Sequence, residues 1–128
     1  MNRKIRYIIT FLLGLVAFIG LSSSVDARSL KVDKYDITVN ILENGDVQFQ
    51  EKITFQADGS YNGVFYNLDY SGFREPTDVT AFLETGSGTV EMPQNSTGTS
   101  CTYQLTHEGD KLKFKVFTPF SNSRRTVT

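Results

Sequence analysis

The apolar residues of this chain recur with a period of two, and that feature constrains the fold more than any other. Tyr35, Ile37, Val39 and Ile41 alternate with polar residues. Side chains of a β-strand point alternately to its two faces, so this period is typical of a strand with one face on a core. A second series follows the same rule and predicts a second half-buried strand: Val47, Phe49, Ile53 and Phe55.

The Asn44-Gly45 pair between the two series predicts a β-hairpin. A three-residue loop, Glu43–Gly45, places Ile41 opposite Val47, whereas a two-residue loop places apolar and amide side chains on the same face. We therefore predict a type I turn with Gly45 in the left-handed conformation.

In this register Glu51 faces inward, opposite Ile37. A buried charge needs a partner or a position at a rim. One interpretation is a salt-bridged or edge-protecting carboxylate. The other is a polar contact in a ligand cleft, which makes Glu51 a candidate binding residue.

Further short strands are predicted along the chain. Gly63–Tyr70 forms a third, with Val64, Tyr66 and Leu68 on one side and Phe65 on the other. A fourth spans Thr77–Leu83, and residues 84–100 are mainly a loop with at most one short strand.

The C-terminal part predicts another hairpin. Residues 101–105 and 112–116 alternate again, and we expect a four-residue loop, His107–Asp110, between them. Residues 118–123 predict a turn, and Arg124–Thr128 a strand that has only begun, so we expect the domain to be truncated at its C-terminal end. The fold class is an all-β antiparallel β-sandwich of about six to eight strands.

The N-terminal segment has the order of a secretory signal. Three basic residues, Arg3, Lys4 and Arg6, precede an uncharged run from Tyr7 to Leu21. We predict a signal-peptide helix in residues 1–27, cleavage between Ala27 and Arg28, a leader at 28–34 and the β-sandwich at 35–128. An uncleaved anchor is the alternative, although a bilayer core needs about 20 apolar residues.

The composition argues against several kinds of partner and site. A formal net charge of −1 argues against nucleic acid as a partner, because that binding depends on clustered basic residues. One cysteine, Cys101, cannot form an internal disulfide, and one histidine, His107, cannot fill a zinc site with it. We expect no catalytic residues, no cofactor and no metal. Carboxylate pairs for glycoside hydrolysis remain a lesser alternative, from Glu51, Asp69, Glu84 and Glu91.

Aromatic residues offer a binding alternative. Tyr61, Phe65 and Phe73 fall within a short stretch and suit stacking on sugars or gripping a peptide. Their neighbours Tyr66 and Tyr70 are more simply explained as core residues. Lys111, Lys113 and Lys115 lie on one strand face, which either meets anionic polymers or is simply solvated.

The run from Tyr35 to Glu51, with its Asn44-Gly45 turn, resembles the opening of the bacterial predicted membrane proteins grouped as domain of unknown function 2207. Phe55 and the run Gly63–Phe65 resemble the next segment of that family. The resemblance implies a membrane-tethered location at the cell surface and no established activity. Members usually continue into transmembrane helices and a glycine-rich tail.

The leading hypothesis is a noncatalytic extracytoplasmic β domain of a bacterial cell-envelope membrane protein, which binds or senses an unknown envelope component or protein. Membrane association would come through the missing C-terminal part of the parent protein. The alternatives are a freely secreted module that binds wall polysaccharide through Tyr61, Phe65 or Phe73, and a small secreted hydrolase. All three place the chain outside the cytoplasmic membrane.

Overall fold

The computed structural model describes residue 3 and residues 27–128. The predicted signal peptide therefore lies, except for Arg3 and Ala27, outside the described residues. From Ala27 onward the described chain forms strands joined by turns and loops. The strands are β1 (Ser29–Ile41), β2 (Val47–Asp58), β3 (Ser60–Asp69), β4 (Ala81–Thr85), β5 (Gly88–Met92), β6 (Thr102–Glu108), β7 (Lys111–Ser121) and β8 (Arg124–Val127).

The strands form two antiparallel sheets, which confirms the predicted fold class. One sheet has five strands in the order β1-β2-β8-β4-β5, and the other has three in the order β3-β7-β6. Both contribute alternate apolar side chains to one core. The buried members are Ile53, Phe55, Ala57, Val64, Ala81, Leu83, Met92, Tyr103, Val116 and Phe120.

The register of the first hairpin is the predicted one. Ile41 pairs with Val47, and Ile37 pairs with Glu51. Gly45 has a φ of 87°, and its N–H donates to the Leu42 carbonyl oxygen at 2.9 Å. Glycine is the residue that adopts this left-handed conformation without steric cost, so it fixes the three-residue loop and, through it, the pairing of both strands.

The predicted leader is wrong, because β1 begins at Ser29 rather than Tyr35. Leu30 pairs with Ala57 and Val32 with Phe55, but the register shifts between Val32 and Lys34. The extra residue, Asp33, forms a β-bulge that moves the apolar alternation out of phase. The two halves of one strand therefore look unrelated in the sequence.

The predicted four-residue loop between β6 and β7 is also wrong. Glu108 pairs with Lys111, which leaves the two-residue loop Gly109-Asp110 and places His107 in the strand. Gly109 has a φ of 59°, as the first central position of a type II′ turn requires. Tyr103 consequently pairs with Val116, two residues from its expected partner.

Two other boundaries differ from the prediction. β4 starts at Ala81, not Thr77, because Asp78 has a φ of 53° and interrupts the extended backbone. The expected turn at residues 118–123 is mostly β7, which continues through Pro119 to Ser121. Pro119 has no partner in the ladder to β3 or to β6, so its missing N–H removes no ladder hydrogen bond.

The last strand lies inside a sheet. β8 pairs with β2 through Ile53–Gln56 and with β4 at Leu83. Thr128 extends the second ladder, since its N–H donates to the Phe82 carbonyl oxygen at 2.9 Å and its carbonyl oxygen accepts from the Phe82 N–H at 2.7 Å. The five-stranded sheet is therefore joined across its middle by a short strand.

Candidate functional site

An exposed apolar surface covers one side of the β1–β2 hairpin near its turn. We call it the hairpin face. The exposed fractions of its side chains range from 45% to 79%. The hairpin face consists of Tyr35, Ile37, Val39, Ile41, Val47 and Phe49.

The hairpin face is the continuation of the core side of β2. Alternate residues of a strand share a face, so Phe49 lies on the same side of the sheet as Ile53 and Phe55. Phe49 is 62% exposed, whereas Ile53 is 7% exposed. The apolar side of one strand thus passes from core to solvent within four residues, and the prediction that both strands are half-buried along their length is wrong near the turn.

The opposite side of the hairpin is polar. Asp36 pairs with Lys52 and Thr38 with Gln50 across the two strands, and Lys34 Nζ lies 2.8 Å from Asp36 Oδ2. The hairpin is therefore amphipathic, although every residue from Lys31 to Gln50 is exposed. A contiguous exposed apolar surface of this kind is typical of an interaction site.

Glu51 marks the boundary between the core and the hairpin face. It is half-buried and points inward, as the sequence predicts. The hydroxyl oxygens of Tyr35 and Tyr66 lie 3.1 Å apart, and Glu51 is near enough to raise the pKa of both tyrosines. The inward carboxyl group therefore lies beside two tyrosines, one from each sheet.

Electrostatics at this boundary favour protonated tyrosines. Burial raises the pKa of Tyr66 well above its ordinary value, and the hydrogen bonds with Glu51 and Tyr35 raise it further. Partial burial likewise raises the pKa of Tyr35. Both hydroxyls therefore remain protonated at neutral pH and can act as hydrogen-bond donors.

The other predicted binding residues do not form one site with Glu51. Tyr61 packs against the core, with its ring centroid 6.1 Å from that of Phe120. Phe65 is 71% exposed on the outer side of the three-stranded sheet, and Phe73 is 80% exposed in the loop after β3. A stacking platform that combines Tyr61 and Phe65 is excluded, because their side chains lie on opposite sides of the sheet.

A cation lies beside Phe65. Lys115 Nζ is 5.4 Å from the centroid of the Phe65 ring and 5.2 Å from that of Phe117. These distances are within cation–π range. Of the other two lysines on β7, Lys113 is paired with Glu108.

The remaining titratable candidates have structural partners. Glu84 forms an ion pair with Lys52, and His107 Nδ1 lies 2.6 Å from Glu75 Oε1. The Ser71 N–H donates to Asp69 Oδ1 at 2.9 Å and lowers the pKa of that exposed carboxyl. Cys101 is a half-buried free cysteine packed against the core.

Two searches of the described part of the chain give negative results. Residues 27–128 contain no group of three or more histidine, cysteine, aspartate or glutamate side chains that could hold a metal ion. The same residues contain no helix long and apolar enough to cross a membrane. Ala27 and Arg28, the predicted cleavage residues, are exposed, and Arg28 Nη1 donates to the Ser60 carbonyl oxygen at 3.3 Å.

The sequence predicts that Glu51 faces inward and is a candidate binding residue. It does not predict that the side chains of the hairpin face are exposed. Apolar alternation shows that one side of a strand is apolar, and it does not show what covers that side. One signal was available. The inward Glu51 interrupts the apolar series between Phe49 and Ile53, as a charge does at the rim of a core.

Comparison with known proteins gives one match. Residues 31–128 match the model of a family described as "Predicted membrane protein (DUF2207) N-terminal domain". No curated protein matches the chain, and no solved structure matches it.

Proposed function

Because this chain belongs to the family of predicted membrane proteins with the DUF2207 N-terminal domain, we propose that it is a noncatalytic, extracytoplasmic binding module of a bacterial cell-envelope protein. The hairpin face is its binding surface. The matched residues include both strands of the hairpin from Lys31 onward, so the proposal concerns the family domain itself.

One observation carries the proposal, namely that the hairpin face leaves six large apolar side chains between 45% and 79% exposed. Burying apolar surface stabilises a complex by about 25 cal/mol per Å². A partner that covers the hairpin face would obtain this binding free energy without unfolding any part of the domain. The polar opposite side of the hairpin gives no comparable gain, so binding is expected on one side only.

The export signal supports the location. The basic residues Arg3, Lys4 and Arg6 before an uncharged run direct a chain across the cytoplasmic membrane. An apolar surface on an exported domain would meet a partner in the envelope. The proposed partner is therefore an envelope protein or another envelope component, and membrane association is proposed to belong to the parent protein.

Photo-cross-linking in intact bacterial cells tests this proposal. Benzoylphenylalanine replaces Phe49, on the hairpin face, and in a matched control it replaces Gln50, the next residue on the polar side. We expect a discrete cross-linked product from position 49 and none from position 50. Equal products from both positions, or no product from position 49, would contradict binding through the hairpin face.

A wall-polysaccharide module remains a second candidate because of one observation. Phe65 is 71% exposed, and Lys115 lies beside its ring, so the pair offers a stacking surface with a positive charge. Retention of the chain on purified wall material at low salt, lost in Phe65→Ser and kept in Phe49→Ser, supports this candidate. No retention of the unaltered chain rejects it.

A further inference from the structure

The outer side of the three-stranded sheet carries a row of three residues that crosses its strands. Lys115 in β7 pairs with Phe65 in β3 and with Gln104 in β6. Val64 and Val116, their neighbours in sequence, are buried in the core, so the row points outward. An aromatic ring, a cation and an amide therefore stand side by side on strands about 4.8 Å apart.

The ammonium group of Lys115 has aromatic neighbours and no carboxylate partner in the described part of the chain. Its Nζ lies 5.4 Å from the centroid of the Phe65 ring and 5.2 Å from that of the Phe117 ring. The ion pairs of residues 27–128 do not include Lys115. The lysine is thus positioned by two rings, and its charge is left to attract an anion from solution.

The other two lysines of β7 are placed differently. Lys113 is paired with Glu108. Lys111 stands opposite Asp69 in β3 and opposite Glu108 in β6. The charges near the β6–β7 turn therefore compensate one another, whereas the charge of Lys115 is not compensated by an acidic residue in its own row.

The loop between β5 and β6 bounds this surface at one end. A Cβ added at Gly98 would lie 3.5 Å from Phe117 Cε1, so the loop backbone runs close to the Phe117 ring. The Thr102 hydroxyl, opposite Phe117, donates to the Thr99 carbonyl oxygen at 2.6 Å and holds the loop there. The surface is therefore walled beside Phe117 and open around Phe65.

The groups in the row suit an acidic sugar polymer. β7 pairs with β3 on one side and with β6 on the other, so the row offers side chains and no free backbone edge. The Phe65 ring, 71% exposed, can stack on the apolar face of a sugar ring. Lys115 attracts an anion, and the Gln104 amide can bind a hydroxyl group. A neutral sugar would leave the lysine without a partner.

We propose that the outer surface formed by Phe65, Lys115 and Gln104 binds an acidic polysaccharide. One sugar ring stacks on Phe65, and a carboxylate or phosphate group attached to the sugar lies against the Lys115 ammonium. Gln104 binds a hydroxyl group of the next sugar unit. This inference rests on the wall-polysaccharide candidate of the proposed function, and it narrows the ligand to sugar polymers that carry negative charge.

Binding of the chain to matched pairs of polymers at low salt tests the inference. One pair is polygalacturonate and its methyl ester, and the other is dextran phosphate and dextran. At least one acidic polymer should bind at least about tenfold more tightly than its neutral counterpart, as expected for a charge-assisted hydrogen bond. The pair that shows the preference identifies the anion as carboxylate or phosphate. No preference in either pair overturns the inference.

Polyglutamate carries the charge without the sugar rings. It should bind at least about tenfold more weakly than the preferred acidic polymer, because it cannot stack on Phe65 as a sugar ring does. Equal binding of polyglutamate would show that charge alone is recognised, which overturns the inference.

Matched variants locate the site. Lys115→Gln should abolish the preference for the acidic polymer, whereas Lys111→Gln, on the same side of the same strand, should keep it. Phe65→Ser should weaken binding at least about tenfold, whereas Phe65→Tyr keeps an aromatic ring and should keep binding. Equal effects within either pair of variants overturn the inference.

The outcomes separate this inference from the proposed function. Retention of the chain on wall material without any preference for acidic polymers overturns the inference and leaves the wall-polysaccharide candidate in place. No retention and no binding to any of the polymers reject both. The hairpin face belongs to the other sheet, and the cross-linking experiment at Phe49 tests it in either case.

Discussion

At the residue scale, the contact between Glu51 and two tyrosines explains how a carboxylate can stand at the end of an apolar series. Tyr35 comes from the five-stranded sheet and Tyr66 from the three-stranded one, and their hydroxyl oxygens are 3.1 Å apart. Glu51 is half-buried at this position. Between Glu51 and the turn, the inward side chains Phe49 and Val47 of β2 are exposed in the described part of the chain, and the hairpin face begins.

Glu51→Gln should lower the pKa of Tyr66 toward its ordinary value, because it removes a negative charge that disfavours the tyrosinate. Burial remains in the variant, so the pKa of Tyr66 should still lie above about 10. The ring resonances of Tyr66, followed by NMR as the pH rises, measure the change. Glu43→Gln, in the exposed turn, is the control and should leave the titration as it is.

The same shift predicts a dependence of stability on pH. The pKa of Tyr66 is raised in the folded state, so its contribution is fully present below the unfolded value of about 10 and is lost as the pH rises further. Urea unfolding at increasing alkaline pH should show a loss of stability that levels off at a lower pH for Glu51→Gln than for the unaltered chain, because the variant has the lower folded-state pKa. Levelling off at the same pH in both proteins would show that Glu51 does not act on the tyrosine.

Gly63→Ala should destabilise the domain by about 2–3 kcal/mol, since a Cβ there would lie 2.0 Å from the Val116 carbonyl oxygen and force the backbones of β3 and β7 apart. Gly86→Ala is the control, because a Cβ at Gly86 meets nothing within 4 Å. The difference in the free energy of unfolding, from urea denaturation, checks this. Equal effects of the two substitutions would mean that β7 does not approach β3 this closely.

At the element scale, the hairpin shows how far the sequence determines the fold. The Asn44-Gly45 turn and the apolar alternation together predict the register from Tyr35 to Ile53, because turn geometry and side-chain phase agree there. The predicted register between β6 and β7 differs from the observed one by two residues. Alternation alone does not distinguish loops that differ by two residues, and the positive φ of Gly109 decides between them.

The missed start of β1 and the missed hairpin face have different causes. Asp33 adds one residue to β1, so the alternation of Leu30 and Val32 is out of phase with that of Tyr35 and Ile37. A single sequence does not distinguish such a bulge from the end of a strand. The hairpin face was missed because coverage of a strand depends on the position of the other sheet, which local periodicity does not encode.

Two isoleucines on the same side of the hairpin should respond differently to truncation. Ile53→Ala removes a core side chain and should cost about 2–5 kcal/mol of unfolding free energy. Ile37→Ala removes the same atoms from a side chain that is 54% exposed, and should cost less than about 1 kcal/mol. Thermal or urea unfolding of both variants measures the contrast. Similar losses would show that the hairpin face is covered within the chain.

At the scale of the whole molecule, the family, the predicted export signal and the exposed surface are consistent with one another. The chain belongs to a family of predicted membrane proteins, and its described part is a β-sandwich with an amphipathic hairpin. The sandwich core stabilises the base of the hairpin through Ile53 and Phe55, and the end near the turn presents an apolar side to solvent. We propose that binding takes place at that end of the hairpin.

Carbene footprinting of the chain, alone and in the cell envelope where we propose that it acts, tests this claim most directly. In the isolated chain we predict strong labelling of Ile37, Val39 and Phe49, since all three are exposed. In the envelope these residues should be protected, while Gln48 and Gln50 on the polar side keep their labelling. The account is contradicted if the hairpin face is already unlabelled in the isolated chain, or if its labelling is the same in both preparations.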